Sequence, residues 1–263
     1  MTPFIDIQPE LCSIADEAAK RQSQALFRQR TCKTDGSVLT EIDLYIQDRL
    51  VEVLKSWMPS IDIIAEEGHE TKVSDGAALA AVIDPIDGTD SFSQGIPTWA
   101  ISVGIVDPSR GPVAGFIAAP ALGLWVLAQE RSQVWVNGEK HKKQLGSMEV
   151  SRLANLCVSS RVHQQLELND FPGKLRSYGS AALHLLWPSL YDGVIGGLQD
   201  DRAFVWDVAG AAAIAAATGL TCRYLSGQDI DWGILLDKKQ IEDFILIASP
   251  NNTERIRSLI RRR

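Results

Sequence analysis

Acidic residues placed directly behind apolar, β-branched runs narrow what this sequence can become more than any other feature. Ala80-Ala81-Val82-Ile83 leads straight into Asp84-Pro85-Ile86-Asp87-Gly88-Thr89, and Ile61, Ile63 and Ile64 lead into Glu66-Glu67-Gly68. Short apolar runs of this kind read as buried strands. A sheet whose strands end on Glu66, Asp84 and Asp87 gathers carboxylates at one edge, where they repel and raise one another's pKa values. No basic residue sits beside them in the sequence to neutralise them. A hard divalent cation is the simplest remedy, and Mg²⁺, which prefers oxygen ligands, suits the donor set.

The Asp-x-x-Asp spacing predicts that Pro85 turns the chain sharply, so that both side chains and the intervening Ile86 carbonyl face the same ions. Gly88 lets a phosphate approach the backbone closely, and Thr89 sets a hydroxyl beside it. A pair of such ions could activate a water and stabilise a leaving oxygen. Taken alone, the same stretch also reads as a capped turn, with Asp84 and Asp87 satisfying backbone groups and Glu66 solvated. Asp207, near the start of the small-residue run Val205 to Gly219, reads as an N-cap, a ligand or both.

Two other phosphate chemistries are excluded. Ile86-Asp87-Gly88-Thr89 resembles the second half of the Asp-x-Asp-Gly-Thr segment of haloacid-dehalogenase-type phosphatases, but Pro85 stands at the nucleophile's position. Proline cannot attack phosphorus. Neither a Walker-type Gly-x4-Gly-Lys nor a Gly-x-Gly-x-x-Gly fingerprint occurs.

Along the chain, helical spacing of Leu11, Ile14, Ala15, Ala18, Ala25 and Leu26, then of Ile42, Tyr45, Ile46, Leu50, Val53, Leu54 and Trp57, predicts two amphipathic helices. The polar stretch from Arg30 to Asp43 between them contains a loop around Gly36. Strand-like runs follow at Val82-Ile83, Trp99 to Val106, Val113 to Ile117 and Trp125 to Ala128, then a hairpin at Asn137-Gly138. This half predicts helices followed by a mostly antiparallel sheet. Beyond residue 148 the pattern alternates: strands near Leu156 to Ser159, Val194-Ile195 and Ile245 to Ala248, and helices near Ser180 to Leu190, Asp207 to Ala217 and the C-terminus. Such alternation indicates an α/β layer. The expected organisation is residues 1–147 and 148–263, packed as one unit across the boundary segment Gly138 to Ser147.

The 263 residues are 45% hydrophobic, enough for a large core. A net charge of −7 argues against a nucleic-acid surface. Arg255, Arg257, Arg261, Arg262 and Arg263 are expected on a solvated helix end. Cys12, Cys32, Cys157 and Cys222 show no paired spacing and read as reduced thiols. No apolar run is long enough for a membrane span and the first residues lack a signal-peptide layout, so the expected location is cytoplasmic. Histidines 69, 141, 163 and 184 lack metal-ligand spacing, and the tryptophans read as core.

Together, Lys33-Thr-Asp-Gly-Ser-Val-Leu-Thr-Glu-Ile-Asp43, Ala65-Glu-Glu-Gly68, Asp84-Pro-Ile-Asp-Gly-Thr-Asp-Ser-Phe92, Gly179-Ser-Ala-Ala-Leu183 and Trp206-Asp-Val-Ala-Gly210 resemble the motifs of the inositol monophosphatase family, in family order and across most of the chain. The resemblance implies a layered αβαβα sandwich of the α/β class and a homodimeric phosphomonoesterase using two or three Mg²⁺ ions. Glu66, Asp84, the Ile86 carbonyl, Asp87 and Asp207 would bind metal. Thr89, supported by Glu66 and Asp43, would orient a metal-activated water for in-line attack, with no phosphoenzyme. The Gly88 and Thr89 amides would hold phosphate. Gly179, Ser180, Ala181 and Asp200 would face the alcohol part of the substrate, with Glu67, Lys33 and Thr40 behind the ligands. The implied substrate is a small phosphorylated alcohol, inositol monophosphate first and histidinol phosphate as the alternative. Fructose 1,6-bisphosphate and adenosine 3',5'-bisphosphate rank lower because no long insertion enlarges the pocket. A non-catalytic binding module of the same fold would be expected to lose a metal acid or Thr89, and all are present. Two departures stand out. Ala217-Thr218-Gly219-Leu220 replaces the usual Glu-Ala-Gly-Gly, and Asp200 stands where inositol-specific members commonly carry Glu.

Overall fold

The computed structural model describes residues 3–25, 31–32, 38–39, 41–68, 78–129, 133–141 and 148–263. The expectations for Leu26, Lys33, the loop at Gly36, Thr40, His69 and the boundary segment beyond His141 fall outside them.

Both opening helices form where their apolar spacing puts them. α1 (Gln8–Ala25) buries Leu11, Ile14, Ala15 and Ala18 on one stripe, and α2 (Glu41–Trp57) buries Ile46, Leu50 and Leu54. β1 (Thr31–Cys32) and β2 (Val38–Leu39) make a small antiparallel pair between them. Then come β3 (Asp62–Ala65), β4 (Ala80–Asp87), a one-turn helix α3 (Thr89–Ser93), β5 (Ala100–Asp107), β6 (Gly111–Ala119), β7 (Leu124–Gln129), β8 (Gln133–Val136) and β9 (Glu139–Lys140). The strands from β3 to β9 form a seven-stranded sheet in sequence order. β3 and β4 are parallel and every later pair is antiparallel. At the β8–β9 hairpin, Asn137 (φ 49) and Gly138 (φ 88) take the two left-handed positions that a tight hairpin of this hand needs.

The second half contributes β10 (Asn155–Val158), β11 (Leu166–Glu167), β12 (Lys174–Arg176), α4 (Ala181–Leu190), β13 (Val194–Gln199), α5 (Val205–Ala217), β14 (Thr221–Tyr224), α6 (Trp232–Lys238), β15 (Ile245–Ala248), α7 (Pro250–Ser258) and β16 (Arg261–Arg262). A five-stranded mixed sheet runs in the order β12-β10-β13-β15-β14, and β11 pairs with β16.

Three apolar clusters define the layers. One side of the large sheet (Ile83, Ile101, Val103, Phe116) packs on α1 and α2. Its other side (Val82, Ala100, Ile117, Val126) packs on α4 and α5, whose far faces meet Cys157, Ile245 and Ile247 of the small sheet. The outer face of the small sheet (Leu156, Leu198, Leu246) is covered by Ile256 of α7. The result is the expected αβαβα sandwich. α5 is rich in alanine because it lies between two sheets. A Cβ on Gly104 would come 2.6 Å from the Ala209 Cβ, and one on Gly115 would come 2.5 Å from the Gly210 carbonyl oxygen. Larger residues there would push the helix, and Asp207 with it, off the sheet.

Two local expectations change. Pro85 does not turn the chain sharply. β4 continues through it to Asp87, with Asp84 opposite Ser102 and Asp87 opposite Ala100, so two residues face one on β5. This is a bulge, a position that tolerates proline's missing donor. α5 begins at Val205 rather than Asp207, with Phe204 as N-cap. The arginine-rich end is engaged with acids, Arg255 with Glu149, Arg257 with Glu254, Arg261 with Asp170 and Arg262 with Asp243. Among the described residues no helix is long and apolar enough to cross a membrane.

Candidate active site

The parallel pairing of β3 and β4 sets Ala65 beside Ile83, so the next residues of both strands, Glu66 and Asp84, emerge at one edge. The Glu66 amide donates to the Ile83 carbonyl at 3.2 Å. Glu67 is buried and pinned to α2: its amide donates to Gln47 Oε1 at 2.9 Å, and its carbonyl accepts from Gln47 Nε2. The bulge in β4 then brings Asp87 to the same edge as Asp84.

Asp84, Asp87 and Asp207 each present a carboxylate oxygen, and these oxygens all lie within 4.8 Å of one another. Asp84 and Asp87 are 1% and 5% exposed, while Asp207 is half-buried. Burial, then the charges of Glu66, Asp87, Asp207 and Asp43, push the Asp84 carboxyl well above its ordinary range. Burial followed by the Asp87 charge does the same to Asp207, although the Phe204 amide, donating to its Oδ2 at 2.6 Å, holds it back in part. Asp87 is pushed up to about 6 by burial, against the pull of hydrogen bonds from Ser180, Ala182 and Ala181. Among the described residues, no Lys or Arg figures in the strongest influences on the three. An oxygen-only donor set of mutually repelling, buried carboxylates fits a hard divalent cation.

α4 holds Asp87 by its N-terminus. The Ser180 hydroxyl donates to Asp87 Oδ2, and the Ala181 and Ala182 amides donate to its oxygens at 3.1 and 2.6 Å. Ser180 is also the helix N-cap, accepting from the Leu183 amide at 3.2 Å. Ser180, expected at the substrate alcohol, thus has its hydroxyl engaged inside the protein and is 1% exposed. The sequence marks this helix N-terminus, where carboxylates are stabilised, by a serine directly before a ten-residue apolar helix, but not which carboxylate meets it.

Thr89 Oγ1 lies 3.1 Å from Asp43 Oδ1 and 2.9 Å from the Ile86 carbonyl oxygen. A hydroxyl has one proton, so donating to Asp43, the charged acceptor, leaves the Ile86 oxygen able to face a cation. Asp43 is fully buried on the first turn of α2. Gly88 takes φ +89, and a Cβ there would sit 2.9 Å from the Gly179 carbonyl oxygen. Only glycine permits the close approach of these two loops. Asp200 is buried at the end of β13, its Oδ1 accepting from the Arg202 amide at 3.1 Å, and its charge reaches Asp207. The structure therefore brings together Asp43, Glu66, Asp84, Asp87, Thr89, Asp200 and Asp207. Sequence reasoning missed Gln47 and the part played by the α4 N-terminus.

The model of the inositol monophosphatase family matches residues 1–262. The chain belongs to the inositol monophosphatase family. The fructose-1,6-bisphosphatase/inositol-1-monophosphatase of Thermotoga maritima is 32% identical over 205 residues, 73% of each chain. The histidinol-phosphatase of Streptomyces coelicolor is 26% identical over 234 residues, 83% of this chain and 85% of that one. Among solved structures, an IMPase/NADP phosphatase in complex with Mg²⁺ and phosphate superposes with a TM-score of 0.79 at 18% identity, over 97% of this chain and 94% of the other. As a member of the inositol monophosphatase family, the protein is a phosphatase, and its acid cluster is where the family's metal chemistry can be sited.

Proposed function

We propose that this phosphatase hydrolyses inositol monophosphate with Mg²⁺ as its metal. The observation that carries the proposal is the cluster of Asp84, Asp87 and Asp207, whose oxygens lie within 4.8 Å of one another with raised pKa values and, among the described residues, no cation in their strongest influences. These three, with Glu66 and the Ile86 carbonyl, would hold two or three ions. Bound there, Mg²⁺ supplies positive charge that favours ionised water and offsets charge on the departing oxygen.

The chain's own residues do the rest. Thr89, donating to Asp43, keeps its oxygen lone pairs available to accept a hydrogen bond from the attacking water, and Asp43 and Glu66 favour the ionised form of that network. The left-handed turn at Gly88 lets the Gly88 and Thr89 amides approach a phosphate oxygen. Gly179, Ala181 and Asp200 border the space for the alcohol, while Ser180 keeps Asp87 in place.

The two-activity name of the Thermotoga maritima relative supports inositol monophosphate. A second substrate, histidinol phosphate, is supported by the Streptomyces coelicolor relative and by Asp200, whose shorter carboxylate suits an ammonium group as well as a hydroxyl. We also read the enzyme as a homodimer. Leu153, Leu175 and Tyr191 are 75%, 42% and 53% exposed, and Leu175 lies on β12, an edge strand of the small sheet. Light scattering at twice the chain mass supports this, and a monomer at micromolar concentration rejects it.

The experiment is phosphate release from inositol 1-phosphate, histidinol phosphate, fructose 1,6-bisphosphate and adenosine 3',5'-bisphosphate, in Mg²⁺ and in chelator. Inositol 1-phosphate is expected to lead in kcat/KM, with activity lost in chelator and in Asp87→Asn. Full activity in either condition rejects the metal site, and another ester in the lead renames the substrate.

A further inference from the structure

Among the described residues, the buried side-chain polar atoms without a hydrogen-bond partner include His184 Nδ1, Gln199 Oε1 and Ser159 Oγ. These three share one seam. His184 of α4 rides directly on β13, since a Cβ on Gly197 would come 2.3 Å from the His184 carbonyl oxygen. Strand alternation puts Gln199 on that same face, two residues on. Cys157 pairs with Gly197, and the Ser159 amide donates to the Leu198 carbonyl at 3.1 Å, so Ser159 continues the same register and faces α4 as well.

The hydrogen positions follow from the other ring nitrogen. His184 Nε2 lies 2.7 Å from the Tyr178 amide nitrogen. A backbone N–H can only donate, so Nε2 is the bare nitrogen and the neutral ring carries its proton on Nδ1. That proton needs an acceptor, and the unpartnered Gln199 Oε1 is the acceptor facing it. Burial keeps the imidazole neutral at pH 7, its pKa held down to about 4 while the Gln199 side chain favours the ring proton.

We propose that His184 is a positioning residue that brackets the two segments bordering the substrate alcohol, Tyr178-Gly179 through Nε2 and Gln199-Asp200 through Nδ1–H, and so sets the width of that pocket. The proposal rests on Gly179 and Asp200 facing the alcohol. Neither His184 nor Gln199 touches the reacting phosphate. Their effect falls on discrimination between alcohols.

The test compares kcat/KM for the best substrate of the panel with that for phenyl phosphate, whose ring offers no hydroxyl to the pocket, in wild type, His184→Leu and Gln199→Leu. The ratio is expected to fall about tenfold, mainly through KM, in both variants. Gln199→Leu keeps the test open if His184→Leu fails to fold, because it removes the acceptor and leaves the imidazole in place. Equal proportional losses for both substrates, or no change in the ratio, overturn the proposal. Long-range ¹H–¹⁵N spectra of the wild type give a readout independent of turnover: an Nδ1–H tautomer is expected, and an Nε2–H tautomer overturns the bracket. Failure of the phosphatase reading is separate, because it appears as absence of Mg²⁺-dependent release by the wild type from every ester.

Discussion

Lowering the pH from 7 to 5 sets protons against Mg²⁺ for the same carboxylates. Asp87, with a pKa raised to about 6, decides where the competition begins. At pH 7 its carboxyl is about nine-tenths ionised and at pH 5 about one-tenth, so apparent Mg²⁺ affinity should fall about tenfold across that interval from Asp87 alone. Asp84 and Asp207, both raised well above the ordinary range, add further protons to displace and steepen the fall. Stability of the metal-free protein is a poor substitute readout. Asp87, raised from 3.8 to about 6, disfavours the metal-free fold by about 3 kcal/mol above pH 6, a cost absent below pH 4. His184, lowered from 6.5 to about 4, contributes about 3 kcal/mol that is present in full above pH 6.5 and lost as pH falls toward 4. These two slopes oppose each other, and the raised Asp84 and Asp207 carboxyls add to the Asp87 side, so no single group can be read from that stability. The His184 contribution is common to chelated and Mg²⁺-loaded protein, so it drops out of their difference. The assay is therefore the midpoint of Mg²⁺ titration, followed by tryptophan fluorescence and by the melting-temperature difference between Mg²⁺ and chelator, at each pH. An affinity flat between pH 7 and 5 would refute the assignment of these acids as a cation site that is protonated when empty.

Thr89→Ala removes the hydroxyl bonded to Asp43 and should lower kcat by about a hundredfold or more, with Mg²⁺ affinity changed by less than about twofold in a binding titration; lost Mg²⁺ binding would move that hydroxyl into the metal shell. Gly115→Val would set a branched side chain where even a Cβ comes 2.5 Å from the Gly210 carbonyl oxygen. The expected cost is about 1–3 kcal/mol, read as a lower melting temperature, with weaker Mg²⁺ binding because Asp207 moves with α5; an unchanged melting temperature would contradict the close packing. Ser180→Ala removes both a cap and a donor to Asp87, so it should cost about 1 kcal/mol and move the pH midpoint of Mg²⁺ binding above its wild-type value, and a downward move would contradict the direction of the Ser180 contribution.

The layers were legible because their periodicities are strong. The stripes of α1 and α2, the continuous apolar runs of β4 and β5 and the Asn137-Gly138 hairpin signal all appear as structure at the expected places. What escaped was set by tertiary context. β12 (Lys174–Arg176) and β14 (Thr221–Tyr224) are edge strands of the small sheet, three and four residues long, too short for the alternation of Leu175, or of Cys222 and Tyr224, to reveal them. The bulge at Pro85 escaped because proline's local meaning is a turn, whereas pairing of β4 with β5 on both sides of it keeps the strand extended. In the site, residue types and order announced the acids. They did not announce their holders, because the bonds from Ser180, Ala181 and Ala182 to Asp87 span more than 90 positions of chain.

Asp207 brings these levels together. The sequence left it as an N-cap or a ligand; in the structure Phe204 is the N-cap, and Asp207, at the third helical position, accepts from the Phe204 amide while its carboxylate also stands in the acid cluster. The same holds for Asp87, which receives the N-terminal donors of α4. Both helices of the central layer thus direct their N-termini, the positive ends of their dipoles, toward one group of carboxylates. Those donors only partly offset burial and repulsion, since both acids keep raised pKa values. Stronger stabilisation from the protein itself would let the carboxylates ionise without a cation and would weaken the demand for one. A central layer of two short helices between two sheets supplies enough to hold the acids in place and leaves charge that the proposed Mg²⁺ would neutralise.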